Sequence, residues 1–165
     1  MGLTSFDGVA VVYNLHVPAA DRLGIAGHGT GTRTEGEGQP EMIRKLQAVA
    51  IDCPDPVRLA EFYAELLGGQ VEVDAADPDW VELRGFDGTP LAFQRVEGYR
   101  PPQWPGQELP QQMHLDFDVD DLEADERRVL ELGATVLERT DQLRPGANWR
   151  VYADPAGHPF CLNLH

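Results

Sequence analysis

The chain carries the same order of structural signals twice, and this duplication restricts the folds that it can adopt. The first copy reads LQAVAIDCPDPVRLAEFYAELLGGQVEV and the second reads MHLDFDVDDLEADERRVLELGATVLE. Each copy has an apolar strand pattern, an acidic turn that favours a helix start, an amphipathic helix and a glycine break. Aligning Ala48 with His114 and Gly88 with Gly157 gives offsets of 66 and 69 residues, so only small loop differences separate the copies. We therefore expect two similar modules that enclose one shared cavity.

The predicted order of elements in each half is βαβββ, which places the chain in the α+β class. In the first half we expect strands at 45–52, 70–73, 80–84 and 90–96, and a helix at 57–67. In the second half we expect strands at 113–119, 135–138, 149–153 and 160–164, and a helix at about 122–132. Asp55 is a typical N-cap and Pro56 suits the first helical position, while Asp120 and Asp121 precede the second helix.

The composition of the chain changes near residue 42. The segment 24–38 reads GIAGHGTGTRTEGEG and has too few apolar residues to offset the entropy of ordering. We predict that residues 1–42 form a flexible N-terminal extension and that residues 43–165 form one domain. Within this domain, 43–97 is the first module, 98–112 is a linker with four prolines, and 113–165 is the second module.

Charge and cysteine content narrow the classes of partner and location. The formal net charge of −15 disfavours nucleic acid, because its phosphates would be repelled. No run approaches the roughly 18 apolar residues of a membrane span, so we expect no membrane partner. The negative charge is compatible with a cationic ligand, although solubility alone also explains it. Two cysteines, Cys53 and Cys161, make no disulfide framework, which favours a reducing cytoplasm.

Three motifs carry a family resemblance. They are DPxxLAxFYxxLLG within Ile51 to Gly68, HLDFDVDDL from His114 to Leu122, and DPAGHPFCL from Asp154 to Leu162. Over Leu46 to His165 the chain resembles the glyoxalase/bleomycin-resistance/extradiol-dioxygenase group, the vicinal oxygen chelate superfamily, and above all its glyoxalase-like proteins of unassigned activity. The third motif is similar to the DPxGxxxEL signature of that group. The resemblance implies one cup-shaped, partly open mixed sheet built from both modules, a small-molecule ligand in the cup, and a homodimer.

The resemblance also implies where a divalent metal would bind, at four positions on the first and last strands of the two modules. In this chain these positions hold Ala48, Ala92, His114 and Cys161. The two alanines supply no donor atom, and a zinc or nickel ion needs about three or more nitrogen, oxygen or sulfur donors. We therefore expect no metal and no other cofactor, although a divalent ion remains the disfavoured alternative.

Strand alternation predicts which side chains line the cup. If His114 faces inward, Asp116 and Asp118 do so as well, because alternate residues of a strand share a face. His114 and Asp116 are candidate catalytic residues, since a histidine beside a carboxylate can move a proton next to a carbonyl group. A structural histidine bonded to a backbone carbonyl is an equally good explanation. The candidate ligand-binding residues are Asp52, Gln94, Trp104, Asp118, Cys161 and Asn163.

Each of these candidates also has an explanation without function. Cys161 could bind a ligand or act as a nucleophile only if exposed, and a buried small cysteine is more common. Asp52 and Asp118 suit a cationic ligand at the cup rim, or simple solvation of strand ends. Trp104 and Tyr99 in the linker either close over the cavity or cover an edge of the core. His158 lies in a turn and is expected to be exposed.

Three functional hypotheses follow from these residues. The first is a metal-independent protein that binds a small organic molecule, with a cationic compound favoured by the acidic charge. The second is a lyase, isomerase or epimerase acting on a small carbonyl compound, with His114 and Asp116 as the acid–base pair. The third is a scaffold or regulatory domain without a functional cavity.

Overall fold

The computed structural model describes residue 43 and residues 45–165, and the compact unit extends from Leu46 to His165. The predicted flexible extension at 1–42 lies outside the described residues. The limits of the domain and its two modules at 43, 97 and 113 stay predictions.

The first module forms a four-stranded mixed sheet with one helix. Its elements are β1 (Val49–Cys53), α1 (Pro56–Leu67), β2 (Gln70–Asp74), β3 (Asp77–Arg84) and β4 (Leu91–Arg95). The strand order is β1-β4-β3-β2, with β1 parallel to β4 and the other pairs antiparallel. The predicted βαβββ order is therefore confirmed in this half.

The second module repeats this arrangement and adds one short helix. Its elements are β5 (Leu115–Val119), α2 (Leu122–Glu131), β6 (Thr135–Glu138), α3 (Thr140–Leu143), β7 (Trp149–Ala153) and β8 (Pro159–Leu164). The strand order is β5-β8-β7-β6, with β5 parallel to β8. The α+β class and the doubled βαβββ order are confirmed, and the predicted mixed sheet is divided into two sheets of four strands.

Both long helices start where their capping residues predict. The carboxylate of Asp55 accepts a hydrogen bond from the backbone N–H of Arg58 at 3.2 Å, and Pro56 begins α1. Asp121 caps α2 by accepting from two backbone N–H groups, at 2.9 and 3.0 Å. The apolar residues of α1 repeat at helical spacing, and the buried ones include Leu59 and Tyr63.

An aromatic cluster joins the two modules into one core. Tyr63 of α1 stacks on Phe93 of its own sheet, with ring centroids 5.6 Å apart. Phe62, also on α1, contacts Phe160 of the second sheet at 6.0 Å, and Phe160 contacts Phe117 at the same distance. Aromatic rings bury large apolar areas and favour edge-on contacts at such distances. The helix of the first module therefore packs against both sheets.

A buried aspartate ties the linker to the turn before β8. Asp154 is 4% exposed, and its carboxylate accepts hydrogen bonds from the hydroxyl of Tyr63 and the Nδ1–H of His158, both at 2.9 Å. The backbone N–H groups of Ala156 and His158 supply two more. Because Nδ1 of His158 donates to a carboxylate, its Nε2 accepts from the hydroxyl of Tyr99 at 2.8 Å. The expectation that His158 is exposed is wrong, because these bonds hold its ring half-buried.

The second module also buries a network of charged groups. The Arg150 side chain is 3% exposed and binds three carboxylates, with N–O distances of 2.5 Å to Glu123, 3.1 Å to Glu126 and 2.8 Å to Asp141. Glu126 accepts further hydrogen bonds from Arg139 and Tyr152. Burial acts to raise the pKa of Glu126, but the hydrogen bonds from two arginines and a tyrosine lower it overall. This network joins α2, α3 and β7.

We expect Gly157→Ala to destabilise the protein by about 2–4 kcal/mol, from two sources. Gly157 has φ +94°, which costs an alanine about 1–2 kcal/mol, and an added Cβ would lie 2.5 Å from Cβ of Pro101. Gly146→Ala is the matched control, since Gly146 has φ +83° and no atom within 4 Å. Denaturant unfolding of both variants separates the clash from the backbone strain. Equal losses of stability in the two variants would contradict the contact between linker and turn.

Candidate functional site

The open face of the second sheet brings together most of the predicted site residues. On β5, Asp116 and Asp118 are exposed while the residues between and beside them pack against the core. In the parallel register of β5 and β8, Asp116 pairs with Cys161 and Asp118 pairs with Asn163. The Asn163 side-chain amide donates to Oδ1 of Asp116 at 3.4 Å. The alternation predicted from the sequence therefore places these four side chains on one face.

His114 lies just before β5 and completes a group of three potential donors. Its Nε2 is 3.6 Å from Oδ2 of Asp116, and the side chains of His114 and Asp116 are 39% and 54% exposed. One donor atom from each of His114, Asp116 and Cys161 lies within 4.8 Å of the other two. A nitrogen, an oxygen and a sulfur atom thus converge at the start of β5.

The thiol of Cys161 is neutral in this environment. Burial, the negative charge of Asp116 and a hydrogen bond to that carboxylate raise the pKa of Cys161 to about 12. Cys53, the other free cysteine, is also buried, and burial raises its pKa to about 11. A protonated thiol is a poor nucleophile. Neither cysteine has the exposed, low-pKa environment that covalent catalysis requires.

The first module contributes fewer polar groups. Asp52 of β1 pairs with Gln94 of β4, and both side chains are exposed. Ala50 pairs with the buried Ala92 on the same face, and Ala48 precedes β1. Ala48 and Ala92 therefore offer no metal-binding atom at the two positions of the first module where the family resemblance would place metal ligands. The four-position metal arrangement does not fit this chain, and three donors remain in the second module.

Two polar residues of the first sheet were not identified from the sequence. Trp80 pairs with Gln94 and Glu82 pairs with Ala92, so both lie on the face that carries Asp52. The indole N–H of Trp80 donates to Glu82 at 3.0 Å. This bond lowers the pKa of Glu82 against the opposing effect of burial, and contact with a neighbouring arginine lowers it further. Alternation along β3 could have indicated this face, but only the pairing register places it beside β4.

Trp104 lies in the linker and not on a strand, and it is half-buried.

A hollow of about 670 Å³ lies along β5, which is the edge strand of its sheet. We call it the β5 hollow. Its acidic residues are Asp116, Asp118, Asp120, Asp121 and Asp125, and its apolar residues are Leu66, Leu67, Phe117, Val119, Val129 and Leu162. Arg128 also lines it and is hydrogen-bonded to the backbone oxygen of Glu65 at 2.8 Å. The volume falls in the range of about 300–1,000 Å³ that is usual for small-molecule sites.

A second hollow, of about 590 Å³, lies at the ends of β1 and β4 beside Tyr99. Its main polar groups already have partners. Arg95 donates to Asp79 at 2.7 Å and to the backbone oxygen of Pro54 at 2.6 Å, and Tyr99 donates to His158. With these donors engaged inside the protein, this hollow is the weaker candidate for a ligand.

Within the part of the chain that the structure describes, no helix has the length and apolar character that membrane crossing requires.

Comparison with known proteins identifies the family. The family model described as "Glyoxalase-like domain" matches residues 48–163. A search of curated protein sequences gave no match to the chain.

Among solved structures, a glyoxalase/bleomycin resistance protein/dioxygenase family enzyme from Burkholderia phytofirmans aligns at a TM-score of 0.51 and 20% identity, covering 72% of this chain and 96% of that one. A hypothetical protein from S. aureus aligns at 0.54 and 17%, covering 75% and 95%. A structure described as a possible glyoxalase from Bacillus cereus aligns at 0.51 and 17%, covering 73% and 99%. At these identities the structural likeness concerns the fold alone. The chain therefore belongs to the glyoxalase-like domain family, and it has the fold of the glyoxalase/bleomycin-resistance/dioxygenase superfamily that its motifs resemble.

Proposed function

We propose that this protein binds a small organic molecule that has an apolar body and a protonated amine, and that the molecule lies in the β5 hollow. The observation that carries the proposal is the pairing of acidic and apolar side chains in one hollow of about 670 Å³. Asp116 and Asp118 of β5 line it, as do Leu66 and Leu67 at the end of α1.

The chemistry of these walls favours a cation with an apolar part. Removing an apolar group from water contributes about 25 cal/mol per Å² of buried surface. A hydrogen bond from an ammonium group to a carboxylate contributes about 1.5–3 kcal/mol, more than a bond between neutral groups. The formal net charge of −15 also favours the approach of a cation.

Binding is better supported than acid–base catalysis by His114 and Asp116. Their closest nitrogen–oxygen distance is 3.6 Å, longer than a hydrogen bond, and both side chains are open to solvent. A proton-transfer pair gains its power from a fixed short contact and from exclusion of water. Binding needs neither feature, because a charged ligand brings its own hydrogen-bond donors.

The test is calorimetric titration of the full chain with protonated amines that carry apolar groups, each compared with the neutral amide of the same skeleton. The buffer contains a chelator, so that no metal ion contributes. We expect the amine to bind at least tenfold more tightly than its amide. Asp118→Asn should weaken binding of the amine about tenfold, because the carboxylate that faces the ammonium group loses its charge.

Asp87→Asn is the matched control, since Asp87 is an exposed aspartate in the turn after β3 and does not line the hollow. It removes the same charge from the molecule and should leave the affinity within about twofold of the parent, because distant exposed charges are screened. Equal binding of amine and amide would contradict the proposal. Equal weakening by the two aspartate variants would mean that only net charge attracts the ligand.

A further inference from the structure

The β5 hollow lies along the edge of a sheet, and this position bears on the kind of molecule that it can bind. Its lining includes the consecutive residues 116–119 of β5. Alternate residues of a strand point to opposite faces, so a hollow on one face would be lined by every second residue. The hollow therefore follows the edge of β5, where the backbone of the strand is accessible.

Two residues of β5 direct their backbone groups out of the sheet. The backbone N–H of His165 donates to the C=O of Val119 at 3.2 Å, so Val119 bonds toward β8. In a parallel pair, successive residues direct their N–H and C=O groups alternately toward the neighbouring strand and away from it. Phe117 therefore also bonds toward β8, and Asp116 and Asp118 point their backbone groups outward. Within the described residues, no other segment bonds to the backbone of these two aspartates.

The side chains beside this edge differ on the two faces of the sheet. Asp116 and Asp118 are exposed on the open face, whereas Phe117 packs against the core on the other face. Leu66 and Leu67 also line the hollow, and its charged residues are five aspartates and one arginine. An extended peptide paired with β5 would continue the alternation of the sheet, with one side chain beside the aspartates and the next beside the apolar residues.

We infer that the β5 hollow binds an extended peptide with alternating basic and apolar residues, which adds a strand to the edge of the second sheet. This inference rests on the proposed function and names the class of ligand, because a lysine and its apolar neighbour supply the protonated amine and the apolar body. In such complexes backbone hydrogen bonds supply affinity and alternate side chains supply specificity. A second copy of β5 is a poor partner, since it would place aspartates opposite aspartates.

The first test compares two peptides of the same composition by calorimetric titration of the full chain in chelator. They are acetyl-Lys-Leu-Lys-Leu-Lys-amide and acetyl-Lys-Lys-Lys-Leu-Leu-amide. Only the first can place all its lysines on one face of a strand and its leucines on the other. We expect the alternating peptide to bind at least tenfold more tightly than its isomer.

Methylation of single backbone nitrogens of the alternating peptide tests the hydrogen bonds themselves. A methyl group removes one N–H donor and leaves the charge of the peptide unchanged. Only alternate N–H groups of an added strand face β5. Of two adjacent methylated positions at the centre of the peptide, one should therefore weaken binding about tenfold and the other should change it less than about twofold.

Amide hydrogen exchange detects the same pairing on the protein. The alternating peptide should slow the exchange of the backbone N–H groups of Asp116 and Asp118 at least tenfold, because these groups gain hydrogen-bond partners. The N–H of Phe117 is the internal control on the same strand. It already bonds toward β8 and should exchange slowly with and without the peptide.

Three results would overturn the inference. They are equal affinity of the two peptides, unchanged exchange at Asp116 and Asp118 in the bound protein, and slow exchange at both residues in the free protein, which would mean that another segment or a second copy already covers the edge. If amines bind but the alternating peptide gains nothing over its isomer, the strand pairing fails and the proposed function stands. If neither amines nor peptides bind, both fail.

Discussion

Replacing Arg150 with methionine should cost the protein about 3–5 kcal/mol of its free energy of unfolding. Methionine keeps much of the volume of the side chain but removes the positive charge that three carboxylates share. Glu126 would lose one of its two cationic partners while its side chain is only 9% exposed. Arg139 would remain on Glu126, but the three carboxylates would lose the one charge that they share, and insufficiently compensated buried charge is costly, whereas the intact network is roughly neutral for stability.

The matched control for this change is Arg144→Met. Arg144 has a side chain that is 66% exposed and lies 3.7 Å from Glu138, so its loss should cost at most about 1 kcal/mol. Urea unfolding measures the free energy of unfolding of both variants, and an unchanged m-value shows that the two losses can be compared. Similar costs for the two arginines would refute the structural role of the buried network.

The same network gives the sign of a pH dependence. The pKa values of Glu126 and Asp141 are both lowered in the folded protein. In Glu126, burial raises the pKa, but the hydrogen bonds that it accepts outweigh this effect. In Asp141, the hydrogen bond from Arg150 is the main cause. A group whose pKa is lowered in this way stabilises the fold at pH values above its pKa in the unfolded chain. This contribution is lost as the pH falls through its pKa in the folded protein. The difference between parent and Arg150→Met should therefore shrink in acid.

The second large effect is expected for Asp154→Asn, at about 2–4 kcal/mol. Asparagine keeps the shape of the side chain but loses the charge that accepts four hydrogen bonds, and its N–H group would face the donors from Tyr63 or His158. Burial and the nearby negative charge raise the pKa of Tyr63, so its hydroxyl remains a donor at neutral pH. Equilibrium unfolding in urea measures the loss.

A double-mutant cycle with Tyr63→Phe gives this prediction its sharpest form. In the parent, Tyr63→Phe removes a charge-assisted hydrogen bond of 2.9 Å. In the Asp154→Asn background, we expect the same change to cost at least 0.5 kcal/mol less, because the two side chains act together. Additive losses would contradict the direct coupling of α1 to the turn before β8.

The elements that the sequence predicted well are those with local signals. Asp55, Pro56 and Asp121 mark helix starts because they satisfy backbone N–H groups close to them in the chain. The alternation of Asp116 and Asp118 with apolar neighbours identified the open face of β5 for the same reason. The four-residue helix α3 was missed because one turn is too short to show an apolar period.

The features that depend on distant contacts could not be predicted in the same way. His158 was expected to be exposed because Tyr99, its partner from the linker, is 59 residues away in the chain. Its other partner, Asp154, is only four residues away, but Asp154 also binds the distant Tyr63 of α1. Asp116 was identified as an acid–base candidate, and only its register with Cys161 makes it a third potential metal donor. The role of Trp104, the homodimer and the cytoplasmic location stay predictions.

The central claim is that the β5 hollow is where this protein binds its ligand. The most direct measurement is the amide chemical-shift map of the isotope-labelled protein during titration with the tightest-binding amine, in chelator. The account predicts perturbations that saturate together and centre on Asp116, Asp118, Leu66 and Leu67. Perturbations centred instead on Arg95 and Tyr99, at the hollow beside β1 and β4, would contradict it.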